Sequence, residues 1–561
     1  MPGDSGGEDS KQGERGYAMK RSIKKRKRLG GSRRKAEAGR DLVVSVDPWG
    51  PPPDTIDRAS RALLTRPTIK KSLKRTRHRM LAFELVEPET EAKPGPRSAP
   101  PKHYRATYYD YTNNRAAVAE GRLDKPGLLE VSEFAAQPLP SSEEFEAAVR
   151  ILLRDPGIGD AIRGKRLHPY RPMPPLIETE LPDGRVERTI TVGLLPRDRG
   201  LRHEIVGVNM VRETLIRFER GAPETSEASN PICGLPDAGQ STVSRGTAGQ
   251  VNVTVRQGGT VLWRFRAVRP AASSGTRGSG VELRYVDYRG KRVLYRAHAP
   301  ILNVLYEGNA CGPYRDWQWE EGLLQANGTD VAPGFRLCPA PAQTILDSGL
   351  DAGNFLGVAI YVQGQEVVLV SEMQAGWYRY ISEWRLHADG TIRPRFAFSA
   401  VQNSCVCNRH HHHVYWRFDF DIRTAGVNRV REFNDPPIIG SSNWHTKQYE
   451  IRRFRDPARS RRWRVENAAT GEGYTLIPGA NDGIADSYAR GDVWLLRYRG
   501  SELDDGYNST GGPGTAADLD KLVNGESIDG KDVVIWYAAH FTHDPGTQPH
   551  VVGPDLVPFN W

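Results

Sequence analysis

The sequence predicts a mainly β chain in three parts: a basic, largely disordered N-terminal arm, a small α+β domain and a large β-sandwich. Three observations carry this. Positive charge is gathered at one end: residues 1–80 hold 22 Lys/Arg against nine Asp/Glu, while the other 481 residues hold 56 against 59. Glycine (57) and proline (40) are frequent among 561 residues, which favours turns and short strands over long helices. From Gln250 to Trp561, segment after segment alternates or runs apolar, with scarcely any helical period.

The arm and its linker fill residues 1–100. Met1–Arg40 is polar and carries the run Lys20–Arg28; without an apolar face it has nothing to bury and is expected to stay disordered. Such a run suits a solvated tail or a tether to an anionic partner. The near-neutral body excludes a broad nucleic-acid surface. No segment approaches the roughly 20 apolar residues that span a bilayer, and Met1–Arg40 lacks the apolar core of a secretory signal. A cytoplasmic protein is expected.

Residues 101–224 are expected to form the α+β domain. Arg105–Tyr111 and Ala116–Gly121 read as strands joined at Asn113-Asn114. Ser141 and Glu144 stand at capping-box spacing, so a helix is expected through Phe145, Val149 and Leu152, ending before Pro156. Strands follow at Thr189–Leu194 and Glu204–Asn209. Residues 250–561 are expected to form the sandwich, with strands at Val251–Arg256, Thr260–Val268, Val281–Tyr288, Val358–Val362, Glu366–Val370 and Val414–Ile422.

Chemistry concentrates in a few places. His410-His411-His412-His413 leads into Val414–Asp421, which alternates as a strand does. Residues i and i+2 of a strand share a face, so His410 and His412 lie together. Two imidazoles on one strand are half of a metal site and need a third ligand. The other places are Tyr378–Trp384, running to Gly390-Thr391, and the C-terminal stretch that contains Asp532, His543 and Leu556–Trp561.

Together these segments resemble the catalytic supersandwich of the copper-containing, topaquinone-dependent primary-amine oxidases. Tyr378, Tyr380, Trp384 and Gly390-Thr391-Ile392 match the family's quinone-bearing strand. His410, His412, Arg417, Asp419 and Asp421 match its His-x-His and following Arg-x-Asp-x-Asp. His543 stands eleven positions after Asp532, as the third copper ligand does, and Leu556–Trp561 matches the closing motif. The resemblance covers roughly residues 100–561. It implies Cu(II) on His410, His412 and His543, a topaquinone made from Tyr378, and a homodimer. It also implies oxidative deamination of a primary amine by O2, giving an aldehyde, ammonia and H2O2. A second, hard cation (calcium or manganese) is implied at Asp419, Asp421, Asp532 and the carbonyls of Phe420 and Val533. Tyr306 matches the tyrosine that hydrogen-bonds the quinone. The spacing from Tyr295-Arg296 through Tyr306 puts Glu320 at the general-base position, with Asp316 the nearby alternative, and Gln318 at the aromatic gate.

The departures are Trp377 in place of the family's Asn, Arg379 in place of an acidic residue, and a missing Pro-Arg-x-Glu-Asp tail after His543. They keep two other readings open: a copper protein of this fold without the quinone, and a binding platform docked by its basic arm. The five cysteines are expected to be mostly free thiols, with Cys311–Cys338 a possible bridge in an oxidising compartment. Cys405-Val406-Cys407 lacks the second pair a zinc ribbon needs.

Overall fold

The computed structural model describes residues 41–561 except 87–92, 94–98, 135–136, 139, 173–175, 181–185, 199–200, 202–203, 218–232, 236–243, 246–248, 270–279, 308–312, 317–319, 505–516 and 545–550. The basic run at Lys20–Arg28 lies outside them.

Two large sheets make the sandwich. The first has ten strands. Its main path runs Leu42–Pro48, Gly249–Gln257, Thr260–Arg269, Glu282–Tyr288, Lys291–Tyr306, His410–Phe420, Val533–His543, Val493–Arg497, Ile451–Arg453. The second has thirteen, with Tyr378–His387 between Glu366–Ala375 and Ile392–Ala400. Period-two alternation decides what lies between them. Val414, Trp416, Phe418 and Phe420 of the first sheet meet Tyr378, Tyr380, Trp384 and Val367 of the second in one buried cluster. The turn after the Tyr378 strand needs glycine. Gly390 has φ +99°, and a Cβ there would come within 2.5 Å of the Tyr288 ring.

Order begins earlier than the sequence reading set it. Leu42–Pro48, expected within the arm and linker, is a strand paired antiparallel with Gly249–Gln257 at the edge of the first sheet. The region expected to hold one small α+β domain contains two sheets. Four strands, His78–Val86, His103–Asp110, Arg115–Arg122 and Lys125–Phe134, carry the helices Pro53–Leu63 and Pro67–Ser72 against one face through Leu63, Ile69 and Leu73. Tyr109 and Tyr111 pack from the other face with Phe145, Leu152, Ile190 and Val208 of the following helices and five-stranded sheet.

The helix Ser142–Leu152 starts as its sequence suggests: the Ser141 hydroxyl accepts from the Glu144 backbone N–H at 3.1 Å. The reciprocal half of the box is missing. The Glu144 carboxylate is instead drawn into the core by Arg188, at 2.5 and 2.6 Å. The helix ends at Leu152, before Pro156 as expected, and Pro156 then opens a second helix, Pro156–Arg163, whose cap is Asp155.

Candidate active site

The strand pair His410–Phe420 and Val533–His543 builds the site. His410 lies directly opposite His543, and His412 opposite Phe541. Even-numbered residues of the first strand and odd-numbered residues of the second face the sandwich interior, so all three histidines share that face. The His410 ring centroid is 4.8 Å from His543 and 4.9 Å from His412. His411 and His413 fall on the other face, where they bond Thr542 and His540.

Tyr378 reaches this centre from the facing sheet. Its hydroxyl is 2.9 Å from His410 Nε2. The network fixes its direction. His410 Nδ1 lies 2.7 Å from the Asn408 carbonyl, which can only accept, so Nδ1 carries the proton and Nε2 is an acceptor. Tyr378 therefore donates to His410. Its oxygen accepts from the Tyr306 hydroxyl at 2.6 Å, and the Tyr306 oxygen accepts from the Trp377 indole N–H at 3.0 Å. Trp377, Tyr306, Tyr378 and His410 thus form one polarised chain that ends on an imidazole lone pair.

The donor set fits copper, for which imidazole is a suitable ligand. Burial holds His410 down at about 3, against the Asn408 carbonyl that favours its charged form. Burial and the neighbouring histidines hold His412 well below its usual range. Both are neutral imidazoles at ordinary pH, the form that ligates metal. Tyr380 lies 3.3 Å from His412 Nδ1, while His412 Nε2 is buried with no hydrogen-bond partner. An orphaned buried nitrogen is costly unless a ligand takes it.

The residues expected to hold a second cation come together, but with an ammonium among them. Asp419, Asp421 and Asp532 do converge: their oxygens form the one trio of ligand atoms within 4.8 Å among the described residues. But the Lys93 ammonium sits among them, 2.5 Å from Asp419, 2.6 Å from Asp421 and 2.5 Å from Asp532. Phe420 and Val533 face each other across the strand pair with their side chains in the core. Nothing in the sequence around Lys93 signals this role, because the contact joins residues more than 300 positions apart.

Asp316 and Glu320 lie on short strands paired with Leu302 and Arg245; their side chains, and all of Gln318, lie outside the described residues. The neighbouring Glu321 is buried and paired with Arg269 in the core, which makes it an ion-pair partner and not a free base. Arg379 causes no intrusion on the site. It points to the opposite face from Tyr378 and is held by Asp351 at 2.7 and 3.1 Å.

The cysteines differ from expectation. Cys233 and Cys407 form a disulfide across 174 residues, Cys405 is disulfide-bonded as well, and Cys338 is free and buried. A Cys311–Cys338 bridge is therefore excluded. Sequence spacing carries no sign of a pairing over that separation.

No family model matches the chain. A stretch of 264 residues is 24% identical to copper-containing amine oxidase gamma 2 of Arabidopsis thaliana, covering 36% of this chain and 38% of that protein. Solved structures match over far more of the length. The copper-containing benzylamine oxidase of Hansenula polymorpha aligns with TM-score 0.54 and 13% identity over 92% of this chain and 93% of its own. The Aspergillus nidulans amine oxidase gives 0.57 and 14% over 91% and 88%. The Pichia pastoris lysyl oxidase gives 0.55 and 13% over 93% and 92%. The class is thus a β-sandwich protein with the copper amine oxidase fold. The sequence match is to a copper-containing amine oxidase and spans 38% of that protein's length.

Proposed function

We propose that the protein is a copper-dependent oxidase that converts a primary amine, water and O2 to an aldehyde, ammonia and H2O2, with Tyr378 the precursor of a topaquinone. One observation carries the reading: the Tyr378 hydroxyl meets His410 Nε2 within a trio of inward histidines. Copper on His410, His412 and His543 would supply oxygen activation, and the quinone a reactive carbonyl and an electron sink.

The chain's own residues do the rest. Burial keeps the imidazoles neutral. Tyr306, fixed by Trp377, donates to the Tyr378 oxygen and orients its ring. The aromatic core around Tyr378, with Tyr380 and Phe398 at 5.6 Å, keeps bulk water away. Glu320 is the proposed general base for the α-proton, with Asp316 the alternative; such a group contributes about 10²–10⁴-fold. Glu320→Gln should therefore lower turnover by that order and leave the quinone colour intact, whereas an undiminished rate removes Glu320 from the mechanism.

The direct test is amine-dependent H2O2 release by the copper-loaded protein, compared with Tyr378→Phe. Release that disappears in the variant supports the reading. Copper binding without release from any primary amine favours the second reading, a quinone-free copper protein, for which Trp377 is the motivating residue. We further propose a homodimer, and an anionic partner for the basic arm. The Cys233–Cys407 disulfide favours an oxidising compartment over the cytoplasm. No described helix is long and apolar enough to cross a membrane.

A further inference from the structure

Lys93 stands in the stretch between the strands His78–Val86 and His103–Asp110, yet its side chain is only 7% exposed. Its nitrogen meets one oxygen from each of three carboxylates. An ammonium has three N–H donors and no acceptor, so each donor has one partner and none is left over. The flanks are aromatic. The nitrogen lies 4.4 Å from the Tyr498 ring centroid and 5.1 Å from that of Tyr295. Ring faces attract an ammonium, whereas calcium asks for six to eight oxygens. Arg417 adds a second positive charge, 3.3 Å from Asp419, so three carboxylates already face two cations. Burial alone would push the Lys93 ammonium towards its neutral form; the three carboxylates more than reverse this and hold it charged.

We propose that Lys93 is the cation of this site: a built-in ammonium replaces the second metal ion and closes the carboxylate cage to divalent cations. The cage is formed by the same strand pair that carries the histidines, on the opposite face and at the other end. Asp419 is nine residues from His410, on the order of 30 Å along an extended strand. Lys93 is thus tied to the sandwich without touching the histidine centre. The proposal is independent of amine oxidation and stands or falls apart from it.

The test uses the full-length protein and Ca2+, which has little affinity for imidazole. Calorimetric titration should find no Ca2+ site in the unaltered chain. Lys93→Ala should gain one site per chain, with a lowered Tm that Ca2+ raises again and copper stoichiometry unchanged. One Ca2+ bound per chain by the unaltered protein, lost in Asp419→Asn, would overturn the proposal. So would a Lys93→Ala protein that binds no Ca2+ and melts as the parent does. A second measurement needs no variant. Reductive methylation of the native protein, mapped by mass spectrometry, should modify Lys102, whose side chain is 52% exposed, and spare Lys93. Equal labelling of the two would also overturn it.

Discussion

Tyr378 is held by a chain of hydrogen bonds whose first member, Trp377, is one of the residues by which this sequence departs from the resemblance. The indole donates to Tyr306, and Tyr306 to Tyr378. Trp377 is thus a support for the site as well as a substitution in it. Trp377→Phe keeps the bulk and removes the donor. Losing one buried hydrogen bond costs about 1–3 kcal/mol, so quinone formation after copper loading should slow by roughly ten- to a hundredfold. The rate at which phenylhydrazine-reactive carbonyl appears measures it; an unchanged rate would make the indole a space-filler. At this scale the sequence was readable where chemistry follows parity. His410 and His412 share a face because they are two apart, and they do so in the structure. Lys93 was not readable, since its partners come from strands hundreds of residues away.

Strands were legible as elements because their alternation is local. Glu204–Asn209 has the bounds that its pattern suggests, and the His run extends Val414–Ile422 backwards into one strand, His410–Phe420. The helix after Ser141 also stops before Pro156 as read, whereas the second helix, Pro156–Arg163, is too short for its period to stand out. The strand Glu366–Ala375 carries a buried carboxyl with a consequence of its own. Glu372 Oε2 accepts from the Ile345 N–H, while Oε1 is buried without a hydrogen bond. Burial raises this carboxyl to about 8, only partly opposed by the Ile345 N–H and Arg379. The folded state therefore favours the protonated acid. Between the ordinary carboxyl range near 4.5 and pH 8 the unfolded chain ionises first, so this contribution to stability falls as pH rises. Glu372→Gln should raise Tm relative to the parent at pH 8 and above, and change it little at pH 5. Thermal melts across that range would show a parallel pH dependence if the account of Glu372 is wrong.

At the scale of the whole molecule, the two large sheets share one buried aromatic cluster, and long-range ties bring distant parts of the chain together. Leu42–Pro48 completes an edge of the first sheet. Its apolar alternation was visible, but the basic surroundings masked it. The Cys233–Cys407 bridge fixes the turn just before the histidine strand. Breaking a bridge that closes so long a loop should cost about 2–5 kcal/mol. Cys233→Ser should accordingly melt lower than the parent under non-reducing conditions, and the difference should vanish in reductant. The sandwich as a class was legible from strand density and turn residues. The two-sheet arrangement of the small α+β region was not, because helices at Pro53–Leu63 and Pro67–Ser72 lie in a stretch whose charge suggested a tail. The central claim is that the inward histidines and Tyr378 form a copper and quinone centre. Its most direct test is the absorption spectrum of the metal-free protein before and after Cu(II) is added in air, followed by phenylhydrazine. A broad visible band that grows with copper, shifts with phenylhydrazine and is absent from Tyr378→Phe is the predicted result. Stoichiometric copper binding with no such band would contradict it and leave a copper protein in which Tyr378 remains a tyrosine.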